Sequence, residues 1–157
     1  MKISKTNAAR LLDRLNIVYQ IHAAQVSEDD LSAVTMAKLL NQDPAQVFKT
    51  LVCRGDKSGI IMACIPADQE LNLKAVAHAS NNKNVAMVHL KEVLPLTGYV
   101  RGGCSPLAAK KNYPVYIDET AILYEQIFVS AGMRGVQLEL NPYDLAKATN
   151  ATFAALT

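Results

Sequence analysis

No apolar run in this 157-residue chain approaches the ~18 residues that a membrane-spanning helix needs. The opening MKISKTNAARLL likewise lacks the uninterrupted apolar stretch of a secretory signal, so the expected location is the cytoplasm. Cysteine is scarce. Cys53, Cys64 and Cys104 are an odd number without short spacing, which argues against a disulfide framework and against CxxC metal or redox chemistry. His22, His78 and His89 are equally scattered, so neither a metal site nor a cofactor is expected. The sequence also has no GxSxG elbow, no HExxH, no ordered Ser–His–Asp set and no paired-carboxylate motif. An enzyme built on this chain works without those signposted groups.

What is present fits one soluble globular domain over residues 1–157, with half the residues hydrophobic and 19% charged. The net charge of +2 hides an uneven distribution. Residues 49–111 hold nine basic and four acidic side chains, whereas residues 112–157 hold two and five. Such a basic segment is either a set of solvated surface lysines or an electrostatic footprint for phosphate.

Apolar spacing predicts a helix over 6–15, capped by Thr6 or Asn7, and alternation predicts a strand over 17–22. SEDD (27–30) reads as a loop capping a helix over 31–40, and DPAQ (43–46) as a turn into the strand VFKTLVCR. The Gly-rich GDKSG joins that strand to IIMACIPA (60–67) as a hairpin. Next come a helix over 72–80 capped by Asn72, a short strand over 84–88, and a helical segment stopped near Pro95. Residues 98–114 are dense in glycine and proline and read mostly as loop. Strands are expected over 114–118, 124–130 and 136–140, the last two joined by AGMRG, before a helix begun by Asn141 and Pro142. Helices and strands mix without strict βαβ alternation, so the expected class is α+β with a mixed sheet.

Three stretches can carry chemistry. Lys49 sits inside VFKTLVC, where both strand faces are largely apolar. An ammonium there must meet an anion or a carbonyl, or snorkel to water from an edge strand. RGGCSP (101–106) is either a plain turn or a nest of backbone N–H groups suited to a carbonyl oxygen or phosphate. Its Cys104 reads as a small buried hydrophobe, because no sequence feature lowers its pKa toward that of a nucleophile. SAGMRG (130–135) is a hairpin connection that can still line a site, with Ser130 offering a hydroxyl.

FKTLV, LNLK (71–74), TGYVRGGCSPL (97–107) and VSAGMRG, in this order and spacing, resemble the YbaK family. Its members are free-standing relatives of the editing domain inserted in bacterial prolyl-tRNA synthetases. The likeness runs from the first helix to DLAK (144–147). It implies a mixed, barrel-like sheet with flanking helices, and a hydrolase that removes a wrong amino acid, typically cysteine, from tRNA(Pro). An alanine-specific or broader deacylase is the alternative, and a non-catalytic RNA- or nucleotide-binding module is the rival class.

The resemblance and the residues together assign catalytic work to Lys49 and to the backbone N–H groups of Gly102 and Gly103 as an oxyanion site. Substrate contacts fall to Tyr19, Thr50, Ser105, Pro106, Ser130 and Gly132, and RNA-backbone contacts to Arg101, Lys110 and Lys111. The attacking group is then the substrate's own thiol, leaving as a thiolactone, or its ribose hydroxyl, or water. Prolyl-tRNA synthetase is the expected partner protein. Two departures bear on substrate preference: SPLAAKK stands where SPLGQKK is typical, and SAGMRG where SGGKRG is.

Overall fold

The computed structural model describes residues 5–157. Among them the order is α1 (Asn7–Arg14), β1 (Gln20–Ala23), α2 (Ala33–Leu39), β2 (Phe48–Gly55), β3 (Gly59–Pro66), α3 (Leu73–Ala79) and β4 (Val85–Met87). Then follow α4 (Val93–Thr97), β5 (Val115–Asp118), β6 (Ile127–Met133), β7 (Val136–Leu140), α5 (Pro142–Thr149) and β8 (Thr152–Ala154). Polar caps start four of the helices, at Thr6, Asn72 and Asn141 as the sequence foretells and at Ser32 where SEDD (27–30) is the expected cap. Thr6, Ser32, Asn72 and Asn141 each accept a first-turn backbone N–H. No helix among the described residues is long and apolar enough to cross a membrane.

The strands form two sheets, β1-β7-β6 and β4-β2-β3-β5-β8. The first is antiparallel throughout. The second is mixed, because β5 runs parallel to both β3 and β8. A parallel bridge between Val47 and Phe128 joins the sheets, and Phe128 donates its N–H to the Gln46 carbonyl at 3.0 Å. One apolar cluster fills the space between them, with Val129, Leu138 and Leu140 from the smaller sheet meeting Val52, Met62, Cys64 and Ile117 from the larger. The outer face of the larger sheet is closed by Val76 of α3 and by Leu156. A mixed, barrel-like α+β fold is therefore what the chain adopts.

Three expectations need correction, and one strand, β8, is unexpected. The first strand begins at Gln20 rather than Ile17, because β7 offers partners only from Val136 to Glu139. Pro95 does not stop α4, since it sits in the first turn, where backbone N–H groups have no helical acceptor. The helix ends instead at Gly98, with φ +82°. AGMRG is not all turn: β6 continues to Met133 through a bulge after Ser130. Strand β8 lies just past the left-handed Asn150 and too short to show a period.

Candidate active-site cleft

Strand β2 pairs with β3 along its whole length, but its other edge is covered only in part. There β4 pairs with Cys53 to Gly55, and β6 touches Val47. Gln46 and Val52 point their carbonyls toward that edge, to Phe128 and Val88 respectively. By the two-residue alternation of a strand, the backbone groups of Thr50 face the same gap, where no strand among the described residues pairs with them. A cavity of about 470 Å³ opens there, within the usual range for small-molecule sites. Its walls are β2 from Val47 to Val52, Ser130 and Gln137 of the smaller sheet, Gly102 and Cys104, and the apolar Leu31, Met36, Met87 and Leu90.

Lys49 lines this cleft, half-buried, and donates from Nζ to the Ala67 carbonyl at 3.1 Å. That bond accounts for a lysine among apolar neighbours: the ammonium rests on a backbone dipole. Two of its three N–H groups remain for a ligand. Thr50, also on the wall, meets Cys64 Sγ through Oγ1 at 3.6 Å. Ser130 is buried, and its Oγ accepts from the Gly132 N–H at 3.1 Å, which leaves its own proton free to donate.

The loop from Gly98 to Pro114 is pinned rather than loose. Tyr99 donates its hydroxyl to the Leu107 carbonyl, and Arg134 donates from Nε to the Arg101 carbonyl at 2.7 Å. Gly102 has φ +81° and packs on Leu31, where a Cβ would stand 3.1 Å from the leucine Cβ. The two N–H groups of Gly102 and Gly103, expected to act as an oxyanion pair, are not both free. Gly103 already donates its N–H to the Val100 carbonyl at 3.0 Å, closing the turn. Burial pushes the Cys104 thiol up to about 11, so it is a neutral thiol at pH 7 and no ready nucleophile.

Several expected site residues lie elsewhere. Tyr19 is not part of the cleft wall; its hydroxyl donates to Asp13 Oδ1 at 2.8 Å, across to α1. Ser105 is buried and accepts the Leu107 N–H, and Gly132 meets Tyr99 instead of the cavity. The three expected RNA-contacting residues do not cluster. Arg101 lines the cleft, while Lys111 lines a second cavity of about 580 Å³ with Arg14, Lys147 and Pro106. Lys110 is exposed and belongs to neither wall.

Ala108 faces the second cavity and exposed Met133 faces neither, so both departures in the motifs sit away from the cleft. The sequence reading missed Gln137 and Arg134. Nothing marks Gln137 within the regular strand pattern VQLEL, and Arg134 reads as an ordinary turn residue.

The chain belongs to the aminoacyl-tRNA editing domain family, whose pattern matches residues 28–148. Among individual proteins, it is 47% identical over 153 residues to EbsC of Enterococcus faecalis, covering 98% of this chain and 93% of that one. That protein is named a candidate Cys-tRNA(Pro)/Cys-tRNA(Cys) deacylase. Two solved structures share the fold. Hypothetical protein APE2540 superimposes with a TM-score of 0.87 at 23% identity, covering 96% of this chain and 99% of that one. A candidate trans-editing enzyme for prolyl-tRNA synthetase superimposes with a TM-score of 0.80 at 22% identity, covering 98% and 99%.

Proposed function

We propose that this protein is a trans-editing deacylase for mischarged tRNA(Pro), acting first on the cysteinyl ester, as one cytoplasmic editing domain over residues 1–157. The observation that carries this reading is the convergence of Lys49, Thr50, Gly102 and Ser130 on one cleft in a chain of the editing family. The name of the relative from E. faecalis supports cysteine as the amino acid removed. Prolyl-tRNA synthetase is the partner that hands over the mischarged tRNA, consistent with the description of one structural relative.

Aminoacyl esters are already activated, so orientation can supply much of the acceleration. The two free N–H groups of Lys49 hold the terminal phosphate or ribose edge, and Ser130 donates to a substrate oxygen. The Gly102 N–H faces the ester carbonyl and takes up charge as the tetrahedral intermediate forms. The substrate's own thiol sulfur bonds to the ester carbon. The carbon–oxygen bond to ribose breaks, and the thiol proton passes to the ribose oxygen. A thiolactone leaves and is later opened by water. Arg101 at the cleft, and Lys110 and Lys111 beyond it, add salt-dependent contacts to the RNA backbone.

The test is to charge tRNA(Pro) separately with cysteine, alanine and proline and to follow loss of each ester, with and without prolyl-tRNA synthetase. The cysteinyl ester is expected to disappear fastest, the prolyl ester to persist, and Lys49→Ala to lose the activity. Selective loss of the alanyl ester would keep the reaction but overturn the thiol step. No cleavage above buffer under either condition would leave a binding module.

A further inference from the structure

Gln137, the second residue of β7, is only 7% exposed, lies directly across from Ser130 of β6, and forms part of the cleft wall. Its Oε1 is the single buried side-chain nitrogen or oxygen without a hydrogen-bond partner among the described residues. Folding gains nothing from such an atom. A buried acceptor left unpaired destabilises the chain, and an apolar side chain of the same shape would be tolerated better. A donor that enters through the cleft would satisfy it.

An aminoacyl ester carries one strong donor near its reacting carbon, the α-ammonium. A neutral acceptor suits it, because an unpaired carboxylate in the same buried place would be far costlier while the cleft is empty. The remaining charges on the wall are arranged differently. Lys49 and Arg101 are cations that repel an ammonium, Asp29 is on the rim, and Asp30 already accepts from Thr35 and Ser32.

Building on the editing reading, we propose that Gln137 is a substrate-binding residue that reads the primary α-ammonium of the misattached amino acid and thereby spares the prolyl ester. Cysteine and alanine present three N–H groups at that nitrogen. Proline presents two, and its ring carbon occupies the third direction. A site built around a hydrogen-bond donor rejects an analogue lacking that donor far more strongly than an apolar pocket rejects a methylene. Cognate Pro-tRNA(Pro) differs from the error at this nitrogen, so an acceptor set in the direction of the proline ring carbon discriminates without measuring side-chain size.

The experiment compares wild type and Gln137→Met on tRNA(Pro) carrying cysteine, N-methylcysteine or proline, and records the melting temperature of both proteins. Gln137→Met is expected to lower kcat/KM for the cysteinyl ester about 10- to 100-fold, the value of one hydrogen bond to a charged group. It should slow loss of the prolyl ester far less than loss of the cysteinyl ester, and melt at or above the wild-type temperature. Wild type alone should cleave the N-methylcysteinyl ester more slowly than the cysteinyl ester, and that arm needs no variant to fold. Equal rates on those two esters, or an equal loss by the variant on all three, overturns the role while the editing function stands. A wild type that cleaves none of them removes the editing reading and this role together.

Discussion

Replacing Gly132 with alanine tests how the bulge of β6 holds the glycine-rich loop. Gly132 has φ +97°, where an L side chain is strained by about 1–2 kcal/mol. The new Cβ would lie 2.7 Å from Tyr99 Cε1, closer than any real contact, so the ring must move. Its hydroxyl is bonded to the Leu107 carbonyl, and losing that bond removes roughly 1 kcal/mol more. The total is about 2–3 kcal/mol, equivalent to a fall in melting temperature of roughly 4–12 °C for a chain of this size. The assay is thermal unfolding by circular dichroism, with Tyr99→Phe and the double variant beside it.

Because the ring is already displaced in Gly132→Ala, adding Tyr99→Phe should cost less there than in wild type. Turnover should fall as well, since the Gly132 N–H orients the Ser130 hydroxyl. A melting temperature within about 1 °C of wild type, or strictly additive losses, would refute the claim that the bulge and the loop are locked through Tyr99.

Ala108→Gly should stabilise the protein by about 0.5–1 kcal/mol in urea titration, because Ala108 has φ +56°, and the cleft should keep its substrate preference. Cys104→Ala should retain deacylation in the ester assay, because burial holds that thiol neutral; abolished turnover would restore it as a nucleophile. Burial raises Cys53 and Cys104 from 9.0 to about 11, so the unfolded chain releases these protons first. Their contribution to stability is full below pH 9 and is lost as pH rises through about 11; Cys104→Ala should make the alkaline decline measurably shallower. Asp118→Ala leaves the Leu156 N–H without its acceptor at 2.9 Å, and Thr120 Oγ1 without its own at 2.6 Å. Denaturation should report a loss of about 2–3 kcal/mol, and hydrogen exchange should find β8 the first strand to open.

Much of the fold was legible because its signals are local. Thr6, Asn72 and Asn141 announce helix starts by their own side-chain chemistry. The β2–β3 hairpin follows from two apolar runs around GDKSG. What escaped reading depends on partners distant in the chain. The start of β1 is set by where β7 begins to offer pairing, and β8 exists only because β5 presents an edge to three otherwise unremarkable residues.

The candidate site divides in the same way. The family motifs marked Lys49, Thr50, Gly102 and Ser130, and these converge on one cleft. Ser105 sits within the same motifs and Tyr19 on the expected first strand, yet both serve the scaffold, through Leu107 and Asp13.

By itself, then, the sequence determined the fold class, the order of most elements, the family and the residue types available for chemistry. These are written in short-range patterns of polarity, caps and turn residues. Tertiary structure alone decided which of those residues share a cavity, that Gly103 gives its N–H to a turn, and that Gln137 holds an acceptor with nothing to accept. The reason is physical: a hydrogen-bond inventory closes only in three dimensions, and β6 and β7 lie more than seventy residues from β2, whose open edge they help turn into a cleft.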